Sequence, residues 1–204
     1  MSVLRRVLGL GVTLAISLVL AACTLSSDTD LIATDTLVTP LPAHFSMFPF
    51  KLDGADYAPT DDAPIDYALD GSAYIAGDRS MTIRFAPLGD DTYLIAASGA
   101  DLGALYGTIR IDADVVAIRM VFGDGLATAI EAAMATAPAA IVADIAVVDG
   151  GIKVGRRETL DYVIGLIEAG ALPTSPLVAW IGSDGNARPP ARIIADGDRF
   201  KAGG

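Results

Sequence analysis

Between residues 65 and 122 the chain alternates apolar and polar side chains, interrupted at short intervals by turn-forming residues. A period of two buries one face of an extended chain and exposes the other, a pattern that a helix cannot satisfy. "IDYALDGSAYIAG" carries Asp70-Gly71 between two candidate strands. "MTIRFAPLGDDTYLIAAS" carries Gly89-Asp90-Asp91, and "LYGTIRIDADVVAIRMVF" turns at Asp112-Ala113-Asp114. β-Branched and aromatic residues flanking such turns predict hairpins, and the stretch reads as an antiparallel meander of about five twisted strands. Its inner face is expected to hold Met81, Ile83, Phe85, Leu105, Ile109, Ile111, Val116, Ile118, Met120 and Phe122.

The period then lengthens. "GDGLATAIEAAMATAP" offers Asp124 as an N-cap and Pro138 as a stop, with Leu126, Ala129, Ile130, Ala133 and Met134 on one helical face. Residues 139–155 fit either a buried helix or two strands, and the Asp149-Gly150-Gly151 turn signal favours strands. "RRETLDYVIGLIEAGALP" predicts a helix begun at or just before Thr159, with Leu160, Val163, Ile164 and Ile167 as its buried stripe. Gly170 ends it and Pro173 lies beyond. "PLVAWIGSDGNARPPARIIA" reads as a strand, an Asp184-Gly185 turn and a short strand near Arg192–Ala195. Strands first and helices later predict an α+β fold: the meander, two helices covering one of its faces, and a short C-terminal hairpin.

Ahead of this region, Arg5 and Arg6 precede an uncharged run from Val7 to Ala22 that ends in small residues, the parts of a secretory signal. The run is shorter than the ~20 residues that span a bilayer as a helix. Leu20-Ala21-Ala22-Cys23 resembles the lipobox of bacterial lipoproteins. The resemblance implies that Cys23, the single cysteine of the chain, receives a diacylglyceryl thioether and becomes the acylated first residue of the mature protein. Several acyl chains hold a protein on a membrane far more firmly than one. Thr24, where an aspartate is the inner-membrane retention signal, implies the outer membrane, with the protein facing the periplasm. With Cys23 acylated, no thiol is left for a disulfide. The expected organisation is a signal peptide over 1–22, an acylated N-terminus and flexible tether over 23–43, and one globular domain over 44–204. The tether reading rests on "TLSSDTDLIATDTLVTPLPA", which is small, polar and proline-containing without a sustained period.

The chain carries a net charge of −11, which argues against nucleic acid as a partner. It also argues against adhesion to anionic headgroups, leaving the acyl chains on Cys23 as the expected link to the membrane. No catalytic set stands out. The only histidine is His44, and neither G-x-S-x-G nor S-x-x-K occurs. One histidine and one committed cysteine serve zinc poorly. Asp53, Asp56, Asp61, Asp62 and Asp66 in "DGADYAPTDDAPID" lack the spacing of an EF-hand and read as a solvated acidic loop. Gly123-Asp124-Gly125 resembles a capping turn more than a phosphate cradle, because Asp124 would repel an anion. No metal and no cofactor is therefore expected, and the chain reads as a non-enzyme.

Two patterns bear on binding. In the register above, Arg84, Arg110 and Arg119 point away from the apolar face. They form either a cationic stripe for an anion or partner, or cross-strand pairs with Asp112, Asp114 and their neighbours. Trp180 with Tyr57, Tyr67, Tyr74, Tyr93 and Tyr106 could stack on sugars, although scattered aromatics more often form core edges. The expected function is a non-catalytic, membrane-anchored periplasmic lipoprotein that binds or scaffolds another envelope protein. The alternative is a carrier or sensor enclosing a small apolar or anionic ligand between the curved sheet and helix 157–169.

Overall fold

The computed structural model describes residues 25–99, 102–148, 150–183, 188–197 and 199–203. Three strands, β1 (Leu25–Ser27), β2 (His44–Asp53) and β3 (Asp56–Pro59), precede the alternating region. That region forms six: β4 (Ile65–Asp70), β5 (Ala73–Ala76), β6 (Thr82–Pro87), β7 (Thr92–Gly99), β8 (Leu102–Asp112) and β9 (Val115–Val121). Helices α1 (Leu126–Met134) and α2 (Ala139–Val142) lead to the hairpin of β10 (Ile145–Val148) and β11 (Gly151–Val154). Then come α3 (Arg157–Glu168), β12 (Thr174–Gly182), β13 (Arg192–Asp196) and β14 (Arg199–Gly203). Among the described residues, no helix is long and apolar enough to cross a membrane.

The α+β expectation is overturned. Strands β4 to β9 pair in sequence, β4 pairs β2, and β12 lies antiparallel between β2 and β9. The result is a closed antiparallel barrel of eight strands with additional strands attached, not a five-strand meander with two helices and a hairpin. β12 forms no hairpin with the strand at 192–196; it is a stave of the barrel, and β13 pairs with β14 and β3 instead. The expected Asp184-Gly185 turn lies outside the described residues. Alternation reveals which face of a strand is buried but not which distant strand completes the sheet. That is how the closure escaped the sequence reading.

An eight-stranded barrel leaves a bore that side chains fill. Here Phe45, Tyr67, Tyr74, Phe85, Ile95, Ile109, Val116 and Ile181 occupy it. Phe45 stacks on Tyr67 at 5.2 Å between ring centres, and Tyr74 meets Phe45 and Phe85 edge-on at 5.4 and 5.6 Å. Leu41 packs into the same cluster, tied to Tyr74: the phenol donates to the Leu41 carbonyl at 2.6 Å and accepts from the Leu41 N–H at 3.1 Å. Met81, Ile83, Phe85, Ile109, Ile111, Val116 and Ile118 belong to this cluster. Phe122, expected there, lies past the end of β9 and is exposed.

A second core packs on the outer face of β6 to β8. Ala86, Leu94, Ala96, Ala104 and Tyr106 meet Ile130 of α1 and Leu160, Val163, Ile164 and Ile167 of α3. α3 ends at Glu168, and Gly170 just beyond it is in the left-handed conformation at φ 67°. The Gly170 N–H donates to the Ile167 carbonyl and the Ala171 N–H to the Leu166 carbonyl, which satisfies the exposed helix end. α1 differs from expectation at both ends. Gly125, not Asp124, is its N-cap, and Pro138 starts α2 after α1 has already stopped at Met134. Residues 139–154 therefore combine both readings, a single helical turn followed by a hairpin. "DGADYAPTDDAPID" is not wholly loop, since it contains β3.

Residues 25–43 are not a tether. β1 sits between β8, antiparallel to it, and β11, parallel to it. Leu25 is 0% exposed, Ile32 and Leu41 are buried, and Asp30 pairs with Arg84. The polar composition of this segment reflects short buried anchors spaced by turns rather than a free chain.

β1 lies so close to β8 that a Cβ on Gly103 would strike the Ser27 carbonyl. Gly103→Ala is expected to loosen β1 specifically, seen as faster amide exchange at residues 25–27 with the bore unchanged. Tyr74→Phe leaves both buried Leu41 backbone groups unpaired and is expected to cost about 1–3 kcal/mol in chemical denaturation.

Candidate functional site

Among the described residues, the side chains named above pack the bore and the space beneath α3. The feature with the most chemistry around it is β1. Leu25 and Ser27 are buried in the sheet, while Ser26 is half-buried and Asp28 exposed. Asp28 pairs with Lys153 at 2.8 Å. Beyond this pair an open groove of about 410 Å³ is lined by Ser27, Thr29, Ala143, Asp144, Ala146 and Gly155, among others.

Asp144 organises the groove wall. Its Oδ2 accepts from the Gly155 and Arg156 N–H groups at 3.2 and 3.0 Å, just ahead of α3. Burial alone would raise its carboxyl. Hydrogen bonds from the Gly155 and Arg156 N–H groups, with the Arg156 charge, act against that, and the carboxyl is held below the usual carboxylate range. An ionised carboxylate at a helix start is favourable electrostatically. It serves structure, since its oxygens are already engaged by the chain itself.

Cys23 lies outside the described residues, two positions before Leu25. The three arginines do point away from the bore, but they do not form one stripe. Arg84 pairs with Asp30 of the N-terminal segment. Arg110 lies 3.5 Å from Asp112. Arg110 and Arg119 line a cavity of about 30 Å³ with Thr92, Thr108, Ala117 and Glu168, a volume on the scale of a water molecule rather than an organic ligand. Asp112 also receives Arg199 at 3.2 Å. The acidic partner of Arg84 is Asp30 of the N-terminal segment and that of Arg110 is Asp112 on the same strand, rather than a cross-strand pair, and Asp30 is the one that sequence reasoning missed. Nothing local marks it, because its partner lies 54 positions along the chain and pairs only after β1 has docked.

His44 stands exposed at the start of β2. Ser46, two residues along the same strand face, donates its hydroxyl hydrogen bond to Asp66 at 2.5 Å. In a Ser-His-Asp triad an imidazole stands between hydroxyl and carboxylate, whereas here the serine meets the aspartate directly. The five aspartates of the acidic loop disperse: Asp56 faces Arg192 and Asp66 faces Ser46. Among the described residues no group of three or more acidic, histidine or cysteine side chains is placed to hold a metal ion. The aromatic residues go mostly to the core: Tyr57, Tyr67, Tyr74 and Tyr106 are buried, and Trp180 packs against Phe48 at 5.4 Å.

Tyr106 links β8 to the N-terminal segment. Its hydroxyl accepts from the Leu31 N–H at 2.7 Å and lies 3.2 Å from the Thr29 carbonyl, to which it donates. Burial pushes this phenol up to about 12, and burial does the same to Tyr67 in the bore. Both ionise near 10 once unfolded. Between these values the folded state holds more protons than the unfolded state, so stability is full below pH 10 and declines as pH rises toward 12. Denaturation midpoints measured across this window are expected to fall steadily, and Tyr106→Phe is expected to flatten part of that slope. Comparison with protein-family models, curated proteins and solved structures finds no match to this chain, so its functional reading rests on its own residues.

Proposed function

We propose that this chain is a membrane-anchored lipoprotein of the bacterial envelope, acylated at Cys23, whose barrel binds or scaffolds other envelope components without catalysis. The observation that carries the reading is Leu20-Ala21-Ala22-Cys23 standing two residues ahead of Leu25, which is already buried in the sheet. So short a separation between the anchoring cysteine and a buried sheet residue suits a protein that displays a rigid surface at a membrane. The packed space beneath α3 supports a surface role over the carrier alternative, because Leu94, Tyr106, Leu160 and Val163 occupy the place between β6–β8 and that helix. The outer membrane, periplasmic side, is the proposed location, following Thr24.

Metabolic labelling with radioactive palmitate in a bacterial host tests the anchor. The intact chain is expected to incorporate label and sediment with membranes. Cys23→Ser is expected to lose the label and to accumulate as the larger, unprocessed precursor. Labelling that survives the substitution would refute the reading.

A further inference from the structure

β10 is the outermost strand of its side of the sheet, in the order β10-β11-β1-β8. It presents two large apolar side chains to solvent beside its turn, Val147 at 44% and Val148 at 49% exposure. Val148 pairs with Gly151 across that turn, and Val147 pairs with Ile152. Successive side chains of a strand point to opposite faces, so Val147 and Val148 put one apolar side chain on each face of β10 just ahead of Asp149 in the turn sequence. Gly150 in the turn has φ 81°, a conformation that keeps the connection tight.

The same hairpin lies beside the start of β1. Leu25 pairs with Ile152, and the two strands are parallel. Moving backwards from Leu25 therefore leads in the same direction as moving backwards from Ile152, which is into the β10–β11 turn. Two residues of chain span at most ~7 Å even when fully extended. An acyl group on Cys23 would therefore be tied within ~7 Å of Leu25, whose partner Ile152 is next to Gly151 at the start of β11. Leu25 cannot be drawn out to lengthen the link without breaking its pairing to both β8 and β11.

We infer that the β10–β11 hairpin is a second membrane contact: Val147 and Val148 rest in the interfacial region of the bilayer beside the acylated Cys23, which fixes the barrel in one orientation. This rests on the lipoprotein reading above. The occupant is a lipid surface because a short anchor forces one there. Apolar side chains at that depth leave water for the headgroup–acyl boundary. Lys153, farther along β11, is paired with Asp28, so the flank next to the hairpin carries no net charge from that pair.

Spin labels on full-length, acylated protein reconstituted in phosphatidylethanolamine–phosphatidylglycerol vesicles test this. With Cys23 blocked by lipid, Val148→Cys and, separately, Leu52→Cys each provide a single reactive thiol. Leu52 is an exposed apolar residue at the end of β2. The label at 148 is expected to collide several-fold less with a water-soluble nickel chelate, and more with dissolved oxygen, than the label at 52. Val147→Cys provides a second site on the hairpin if substitution at 148 disturbs it. Protein that carries the acyl mass and floats with vesicles, but shows equal nickel access at 148, 147 and 52, overturns the inference and leaves the anchor standing. Protein without the acyl mass overturns both.

Discussion

Everything in this molecule depends on β12 finding both of its neighbours. Strands β4 to β9 form a curved sheet with β2 on one edge and β9 on the other, each with a row of unpaired backbone groups. β12 satisfies both rows at once, pairing Thr174–Trp180 with β9 and Val178–Gly182 with β2. Without it the bore would open and the Phe45, Tyr67, Tyr74 and Phe85 cluster would meet water. Closure is also what removes the exposed edges that make open sheets prone to associate.

Closure determines where function can reside. A barrel of this strand number can hold a small ligand or be filled by its own side chains, and aromatic rings fill this one. The two long strands β2 and β8 then extend the sheet outward. Part of one edge of each belongs to the barrel, and the rest recruits β3 from one and β1 from the other. The outlying strands, not the bore, give the surface its distinctive edges, and β1 places one of them beside the chain's proposed point of attachment.

How much of this the sequence showed varies with the physics of each segment. The turns at Asp70-Gly71 and Asp112-Ala113-Asp114 were legible because turn chemistry is local, and α3 was legible because its buried stripe has a clean helical period. β2 was not, since its two faces are both covered: Phe45 and Met47 face the bore while Phe48 and Phe50 pack outside it. That removes the alternation, and Pro49 within the run argues further against a strand interior. Pro176 has the same effect in β12. β1 is hidden for another reason, because three residues carry no period and their burial is conferred wholly by β8 and β11. The arginines were placed correctly on the outer face, since facing follows from register. Their separation into two groups depends on Asp30 and Glu168, which only the folded chain brings near.

The pairing of Phe50 with Val178 has a consequence in time. Neither edge of the barrel can be completed until β12 exists, and β12 lies near the far end of the chain. Helices and hairpins form from neighbours in sequence within microseconds, whereas contacts between distant segments must first overcome the entropy of closing a long loop. A nascent chain therefore emerges with its aromatic core assembled on one side and open on the other. It stays in that state until β12, Thr174–Gly182, has been released. For this molecule the interval between synthesis of β9 and arrival of β12 is the period of greatest exposure to aggregation, and a helper that covers apolar surface would act there.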